Sequence, residues 1–460
     1  MSTPINSGTN TGPNTGTNTG PNTGRRATTS LPRSVHRRLA TAAHAVDRHR
    51  WGPHLAALAL ALVLRVIWVL WVDRTEFVLN DTLMYHTNAR SIVAGEGFRP
   101  PWGGVSAQWP PGYSLVLAGV YTLAGVRPQA GELFNAMVGA VGVVLLMMLV
   151  ERIVNRRTAV VAGIALAVMP GPIMWTDVLV SETLFTTMFI GVFVLLAYAK
   201  PTPVWLVSIG LLIGLGANVR GEAMVWGLLP IVFFWPMSTR RQLVKRVGLI
   251  AVVAIATLLP WTIRNAVVMD AFLPTGTNAS HTLWAGHNPT ATGGQVYPSP
   301  GYEDQFSNES PARELESSRA LRSEVIEFMF NNPVRELELI PLKLVHLNRG
   351  DSYVFDWVNA VPPGVAPPVS AIHVERIGVL ADAAYFALLA FTIFGSAVLG
   401  RRFWRQPATR CIATSFFTAL FLYGFLYYGN YRYRLAYEPL MIVVAATFVT
   451  QVWSQRERQQ

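Results

Sequence analysis

The chain has 460 residues, of which 51% are hydrophobic and only 14% are charged, and this exceeds what the core of a water-soluble protein requires. The composition therefore excludes an ordinary soluble enzyme and predicts an all-α polytopic membrane protein. The net charge of +11 comes from arginines dispersed between apolar segments, which argues against nucleic acid and for anionic lipid headgroups as partners.

The first 50 residues form a predicted cytoplasmic tail. Residues 1–24 repeat Thr, Asn, Gly and Pro, a low-complexity composition that buries too little apolar surface to order itself. Seven arginines follow within the tail, and by the positive-inside rule they hold the N-terminus in the cytoplasm. The first apolar segment, 55–72, has no small-residue cleavage site after it, which predicts a signal anchor.

Four later basic clusters are assigned to the cytoplasm by the same rule: 151–157, 240–246, 401–405 and 456–458. This assignment excludes a crossing by the apolar stretch 113–126, which is also shorter than the ~20 residues that a bilayer requires. We predict instead an interfacial or re-entrant element within a long first extracytoplasmic loop, 73–132.

The other apolar segments complete a prediction of about ten transmembrane helices with both termini cytoplasmic. After a span that starts near residue 133, they lie at 159–175, 183–198, 204–219, 223–235, 247–263, 377–399, 409–428 and 435–453. The predicted divisions are the tail 1–50, an N-terminal transmembrane module 51–263, a second extracytoplasmic loop 264–375 and C-terminal transmembrane helices 376–460. In the second loop, 311–330 and 333–347 mix apolar and charged residues at helical spacing, as amphipathic helices on a membrane surface do.

Four arginines stand where this topology predicts the extracytoplasmic face: Arg220, Arg264, Arg432 and Arg434. Positive charge normally marks the cytoplasmic side, whereas the planar guanidinium fork matches phosphate oxygens. We therefore predict a phosphate-binding site, with Asn265 as a further donor. Each arginine could instead snorkel to lipid headgroups, and Arg220 could pair with Glu222.

Asp81 lies on the same predicted face, directly before the helical pattern 82–94. The position suits a helix N-cap. The carboxylate could also act as the general base that removes the proton from a sugar hydroxyl. The spacing alone leaves both interpretations open.

Short motifs follow one another along the chain: Asp-Thr-Leu-Met-Tyr-His at 81–86, Trp-Pro-Pro-Gly-Tyr at 109–113, Ser-Glu-Thr-Leu-Phe at 181–185, Arg-Gly-Glu at 220–222, Pro-Trp-Thr-Ile-Arg-Asn at 260–265, Leu-Trp-Ala-Gly-His-Asn-Pro at 283–289 and Arg-Tyr-Arg-Leu-Ala-Tyr-Glu-Pro at 432–439. Their order and placement resemble the glycosyltransferase C superfamily, in particular its branch of protein O-mannosyltransferases and aminoarabinose transferases. Many relatives have Glu after the first Asp, whereas this chain has Thr82.

The resemblance implies an inverting glycosyltransferase of the bacterial plasma membrane that takes a sugar from a polyprenyl-phosphate carrier on the extracytoplasmic side, in the assembly of the cell envelope. It implies Asp81 as the catalytic base, and a second acid is expected from Glu182 or Asp177. The leaving phosphate would be bound first by Arg264 with Asn265, then by Arg432 and Arg434, and Arg220 is a further candidate.

Substrate contacts are predicted for residues of the outer loops: Tyr85, His86, Trp109, Trp284, His287, Asn288 and Tyr302. The aromatic ones could instead form an interfacial belt. His86, His281 and His287 could in principle hold a divalent metal with a carboxylate, but their spacing matches no local metal motif, so no cofactor is predicted.

A flippase or transporter for a polyprenyl-phosphate sugar or another lipid stays open as the alternative. It would require polar groups near the middle of the membrane or internal repeats, and apart from Arg65 and Asp382 the predicted spans carry little charge away from their ends. The sequence leaves the sugar open between a hexose and a pentose. It equally leaves open a glycan, glycolipid or protein acceptor.

Overall fold

The computed structural model describes residues 51–73, 78, 81–200, 202–297 and 310–459. The α-helices, numbered in chain order, are α1 Gly52–Val72, α2 Asp81–Val93, α3 Gly112–Ala124, α4 Pro128–Ile153, α5 Arg156–Val168, α6 Pro170–Met174, α7 Glu182–Ala197, α8 Pro203–Val219, α9 Leu228–Phe234, α10 Arg240–Met269, α11 Asn278–Gly286, α12 Pro311–Asn331, α13 Pro333–Leu347, α14 Phe355–Val358, α15 Ala371–Val398, α16 Gly400–Trp404, α17 Pro407–Leu420, α18 Tyr431–Arg434 and α19 Glu438–Gln459. Short 3-10 turns lie at Trp175–Asp177, Gly221–Gly227, Trp235–Met237 and Asp351–Val354, and a π-helical turn covers Phe421–Leu426. The predicted tail 1–50 and Tyr302 lie outside the described residues.

The predicted all-α membrane class is confirmed, whereas the count of ten spans is not. Within the described ranges, five helices are long and apolar enough to cross a membrane: α1, α4, α10, α15, and α17 together with its π-helical turn. A sixth is reached if α5 and α6, bent by 54° between them, count as one span. The shorter apolar helices α3, α7 and α8 and the segment Gly221–Met237 have 10–17 residues each, below the ~20 of a full crossing.

The first predicted loop contains two helices and ends earlier than expected. The helix placed near residue 133 begins at Pro128, because proline fits the first turn of a helix. The apolar stretch 113–126 is the 13-residue helix α3, which ends at Gly125 with a φ of 86°. It packs against α2, α4 and α8. Tyr113 of α3 is buried, so this face of the helix belongs to the protein interior.

Small residues let the helices of the N-terminal module approach closely. A Cβ added at Gly210 or Gly214 of α8 would meet the backbone carbonyl oxygens of Ile250 and Ala254 on α10, at 2.7 and 2.6 Å. Such spacing of small residues four apart is a common interface between membrane helices. The contact fixes α8, and hence Arg220 at its C-terminal end, relative to α10.

Both charged residues that the sequence singled out within spans have structural partners. Arg65 of α1 is buried and donates hydrogen bonds to the carbonyl oxygens of Ala61 at 3.2 Å, Ala167 at 3.2 Å and Leu166 at 3.3 Å. The last carbonyls of α5 lack helical partners because the helix is broken before Pro170, and Arg65 satisfies two of them. Asp382 accepts hydrogen bonds from the backbone N–H and the hydroxyl of Ser352, at 2.7 and 2.8 Å.

We expect Arg65→Met to destabilise the protein by about 2–5 kcal/mol, because it leaves two buried carbonyls without donors. Thermal unfolding of the purified protein in detergent would measure the change. Arg90→Met, at an exposed position of α2, is the matched control and is expected to stay close to the wild type. Equal thermal midpoints for the two variants would contradict the structural role of Arg65.

Candidate active site

A cavity of about 570 Å³ opens between segments that are far apart in the sequence. It is lined by residues within the segments 81–85, 102–110, 219–224, 275–285, 295–297 and 427–433, together with Ser317 and Trp357. Both predicted extracytoplasmic loops and the ends of α8 and α17 thus contribute. The cavity size falls within the range of small-molecule binding sites.

Arg432 is the central charged group of this cavity. Its Nε donates to Oε1 of Glu182, and its Nη2 donates to Oδ2 of Asp81 at 2.6 Å. The guanidinium carbon lies 4.6 Å from the ring centre of Trp357. Burial opposes the charge, but the carboxylates of Glu182 and Asp81 outweigh it and raise the pKa of Arg432. Nη1 makes no hydrogen bond to any residue in the described part of the chain, so this donor remains for a ligand.

Asp81 faces the cavity with its carboxylate. Oδ1 accepts a hydrogen bond from the indole N–H of Trp109 at 3.2 Å, and Oδ2 accepts from Arg432. The side chain is 24% exposed, which leaves it reachable from the cavity. Among the described residues, its hydrogen bonds go to side chains and not to the backbone N–H groups of α2. The geometry thus favours a residue that faces a ligand over a simple helix cap.

Glu182 joins the two arginines. Oε1 accepts from Nη1 of Arg220 at 2.5 Å as well as from Arg432. The other nitrogens of Arg220 bind both oxygens of Glu222, at 3.1 and 3.4 Å. All three nitrogens of Arg220 bind a carboxylate, so Arg220 orients Glu182 from a position in the cavity lining. Three carboxylates and two guanidinium groups thus form one connected, largely buried network.

Arg434 lies outside this cavity, although it is only two residues from Arg432. It forms buried ion pairs with Asp351 and with Glu438, the latter at 3.2 Å, and its guanidinium carbon lies 3.6 Å from the ring centre of Tyr385. Burial raises the pKa of Asp351 to about 6, against the opposing effect of Arg434. The arginine predicted for phosphate binding here instead holds α18 to α15 and α19.

Arg264 and Asn265 brace a wall of the cavity and do not line it. Nη1 of Arg264 donates to the carbonyl of Ser106 at 2.8 Å and to Oδ1 of Asn265 at 2.9 Å. Asn265 in turn donates to the carbonyl of Leu273 at 2.9 Å. The segment that follows Ser106 carries Trp109, the partner of Asp81. These two residues therefore fix the first loop near the site.

The other predicted site residues divide between the cavity and the interior. Tyr85 and Trp109 line the cavity, and the hydroxyl of Tyr85 donates to Oγ of Ser181 at 3.4 Å. Asp177 is fully buried and lies outside the lining. His86 is also outside it, with Nδ1 2.7 Å from the hydroxyl of Tyr121.

Three residues predicted to contact substrate are instead buried in the second loop. Trp284 donates to Oε2 of Glu324 at 2.7 Å, and Asn288 donates to the carbonyl of Trp284 at 2.8 Å. Nδ1 of His287 lies 2.7 Å from Oε2 of Glu336. None of the three lines the cavity. Their motif therefore holds the second loop in place, because Glu324 and Glu336 of the same loop bind Trp284 and His287.

Lys343 connects this network to the segment that carries Arg432. Its Nζ lies 3.3 Å from Nε2 of His287 and donates to the carbonyl of Phe425 at 3.1 Å. Nε2 of His287 also lies 2.8 Å from the carbonyl oxygen of Leu426. The network thus holds the last residues of the π-helical turn, a few residues before α18.

We expect Lys343→Met to abolish a rise in stability between pH 8 and 9.5. Burial, against the attraction of Glu336, lowers the pKa of Lys343 to about 8, whereas an unfolded lysine titrates near ~10.4. In this window the unfolded chain binds more protons than the folded one, so stability increases as pH rises. Thermal midpoints across the range measure the slope. Lys245→Met, at an exposed position of α10, should keep the wild-type slope, and an unchanged slope in Lys343→Met would contradict the prediction.

Sequence reasoning missed two residues that shape the site. Trp357, from the second loop, lies against Arg432. Glu314 of α12 is buried, and its Oε1 accepts from the backbone N–H of Ala107 at 3.1 Å and from the hydroxyl of Thr277 at 2.7 Å. Burial raises the pKa of Glu314. Nothing local distinguishes it from the exposed Glu316, since Ala107 comes from the first loop and Thr277 lies 37 residues earlier in the chain.

The structure is similar to that of the apo oligosaccharyltransferase of Archaeoglobus fulgidus, with a TM-score of 0.52 and 14% identity over 89% of this chain and 51% of that chain. The structure is also similar to the AglB oligosaccharyltransferase of the same organism in complex with an inhibitory peptide and a dolichol-phosphate. The TM-score is 0.52, and the identity is 13% over 89% of this chain and 51% of that chain. ArnT from Cupriavidus metallidurans bound to undecaprenyl phosphate has a TM-score of 0.44 and 15% identity over 88% of this chain and 79% of that chain. This chain spans about half the length of the archaeal chains.

The protein is a helical membrane protein that shares its fold with the archaeal oligosaccharyltransferase, in agreement with the resemblance of its motifs to the glycosyltransferase C superfamily. Residues 108–263 match the family model of dolichyl-phosphate-mannose-protein mannosyltransferases. A search of curated protein sequences gives no match.

Proposed function

We propose that this protein is a membrane glycosyltransferase that moves a sugar from a polyprenyl-phosphate carrier to an acceptor hydroxyl. The observation that carries the proposal is the network in which Arg432 and Asp81, both of which line the cavity, are bonded to each other, while Arg432 also binds Glu182, which is buried outside the lining. A carboxylate reachable from a cavity and a buried guanidinium with a remaining donor are the two groups that this transfer needs. The dolichol-phosphate held by the archaeal oligosaccharyltransferase supports a polyprenyl phosphate as the donor class.

In the proposed reaction, the acceptor hydroxyl gives its proton to Asp81 while its oxygen attacks the anomeric carbon. The bond from that carbon to the phosphate oxygen breaks, and the electron pair leaves with the prenyl phosphate. Nη1 of Arg432 would stabilise the negative charge that develops on the phosphate. A single displacement of this kind inverts the anomeric centre.

The other predicted phosphate ligands take supporting roles in the proposal. Arg220 orients Glu182, which in turn fixes Arg432. Arg264 and Asn265 brace the wall that carries Trp109, and Arg434 anchors α18. Of these residues, Arg220 lines the cavity, whereas Arg264, Asn265 and Arg434 do not. Arg432 is therefore our first choice for the leaving group.

Positive charge at the cavity is proposed to come from guanidinium groups. Within the described ranges, no group of three or more His, Cys, Asp or Glu side chains is placed to hold a metal ion. Oδ2 of Asp81 and Oε1 of Glu182 both accept hydrogen bonds from Arg432. This donor set fits an arginine-centred site better than a cation site.

We place the cavity on the extracytoplasmic side of a bacterial plasma membrane. The N-terminal end of α10 carries Arg240, Arg241, Lys245 and Arg246, a cluster that the positive-inside rule assigns to the cytoplasm. The 30-residue helix is about 45 Å long and ends at Met269, shortly before cavity residues at 275–279. The orientation of this one helix thus supports the assignment.

Transfer of radiolabelled sugar tests the proposal. Purified protein would be incubated with envelope extract and a panel of polyprenyl-phosphate donors that includes mannose and arabinose. Labelled product establishes glycosyl transfer and identifies both the sugar and the acceptor class. If no donor is consumed and labelled lipid instead crosses the bilayer of proteoliposomes, a flippase replaces the transferase.

A further inference from the structure

A second cavity of about 360 Å³ adjoins the first. Gln295, Tyr297 and Trp357 line both cavities, so the two share a wall. Asn430 and Tyr431 line the second cavity immediately before Arg432 in the chain. A molecule in the second cavity therefore lies next to the charged network of the first.

Planar polar side chains make up one part of its lining: Gln295, Asn430, Arg349 and Asp356. Amide, carboxylate and guanidinium groups can each make paired hydrogen bonds to neighbouring hydroxyls. Arg349 and Asp356 carry opposite charges, so the lining provides both donors and acceptors without a strong net charge. This chemistry suits a neutral molecule with many hydroxyl groups and does not suit a hydrocarbon tail.

Aromatic rings make up the other part. Tyr297, Trp357 and Tyr431 line the cavity, and Tyr353 lies behind them with its ring centre 5.5 Å from that of Tyr431. Aromatic rings provide a flat apolar surface together with a polar tip. A sugar ring presents C–H groups on its faces and hydroxyls at its edge, so it matches a site with aromatic walls and planar polar groups.

Three of the four polar groups are held in position before a ligand arrives. Nδ2 of Asn430 donates to Oε1 of Gln295 at 3.4 Å, while Oδ1 of Asn430 accepts from the backbone N–H of Arg432 at 3.0 Å. The guanidinium carbon of Arg349 lies 4.9 Å from the ring centre of Tyr353. Fixed side chains lower the entropy cost of binding. Asn430 also connects the second cavity directly to the backbone of Arg432.

We propose that the second cavity binds a sugar residue of the acceptor, so that the acceptor is a glycan or a glycolipid. The sugar hydroxyl to be glycosylated would extend past Trp357 towards Asp81. This inference rests on the proposed function for the transfer step, whereas saccharide binding itself can be measured without any transfer.

Binding of methyl α-D-mannopyranoside and methyl α-D-arabinofuranoside to the purified protein tests the proposal, with tryptophan fluorescence as the readout. We expect a saturable change in the wild type and a dissociation constant at least about 10-fold higher in the double variant Arg349→Ala/Asp356→Asn. Arg319→Ala, at an exposed position of α12, should bind as the wild type does. Thermal midpoints would establish that all variants are folded.

Each result separates the two proposals. If the double variant weakens saccharide binding but no donor is consumed, the proposed saccharide subsite is supported and the proposed glycosyltransferase function is contradicted. If sugar is transferred to a peptide or an unglycosylated lipid and no saccharide binds, the proposed glycosyltransferase function is supported and the proposed saccharide subsite is contradicted. Where transfer to a saccharide occurs, the double variant should raise the acceptor KM at least about 10-fold and leave the donor KM within about 2-fold. An unchanged acceptor KM overturns the subsite.

Discussion

Replacing Asp81 with Asn is expected to reduce sugar transfer by about 10²- to 10⁴-fold while the protein stays folded. The amide oxygen of Asn can still accept a hydrogen bond from Trp109 or Arg432, but it cannot take up the proton of an acceptor hydroxyl. The loss should therefore appear mainly in kcat, because the base acts in the transition state. Steady-state transfer from a radiolabelled donor would measure it.

Asp73→Asn provides the matched control for this substitution. Asp73 is exposed, and its carboxylate accepts a hydrogen bond from Gln129 at 3.1 Å, outside the cavity lining. The control should keep wild-type transfer. If Asp81→Asn retained more than about a tenth of the wild-type rate, general base catalysis by this residue would have to be abandoned.

Arg432→Gln is expected to produce the largest combined loss of stability and activity. It removes the donor that joins Glu182 to Asp81 and leaves Glu182 buried with Arg220 as its remaining cationic partner. Removing one partner of a buried ion pair lowers the free energy of unfolding by about 3–5 kcal/mol. Loss of the group that stabilises the leaving phosphate should lower transfer by about 10²- to 10³-fold.

A second substitution separates the two effects of Arg432. In the double variant Arg432→Gln/Glu182→Gln, the buried carboxylate that lost one of its two cationic partners is made neutral, so part of the stability should return. Transfer should stay low, because the guanidinium that is proposed to bind the phosphate is absent. Arg319→Gln, at an exposed site, is the control for both measurements and should behave as the wild type. Recovery of transfer in the double variant would show that Arg432 acts only through folding.

Two residues that could have supported a flippase or transporter have structural roles instead. Arg65 and Asp382 were the charges within spans that could have marked a polar pathway. Arg65 instead satisfies carbonyls at the broken end of α5, and Asp382 binds the 3-10 turn at Ser352. Neither residue lines the two cavities. The charged groups that do line a cavity lie at helix ends and in loops.

The sequence alone determined the all-helical membrane class, because apolar segments that must satisfy their backbone within a bilayer can do so as helices. It also predicted Asp81, Glu182 and Arg432 as members of one site, since the positive-inside rule placed Arg432 on the same face as Asp81. For the phosphate it favoured Arg264, which lies outside the cavity lining, and it did not distinguish Arg432, which lies in the lining, from Arg434. Successive helical residues turn by about 100°, so Arg432 and Arg434, two apart on α18, point in nearly opposite directions.

Only the tertiary structure decided the partners of these groups. Arg432 meets Asp81 across 351 residues of sequence and Glu182 across 250. His287 and Glu314 look like exposed loop residues in the sequence, yet Glu336 and the backbone of Ala107 bury their polar atoms. A buried charge must have a partner, and that partner is set by how distant helices pack, which no local spacing records.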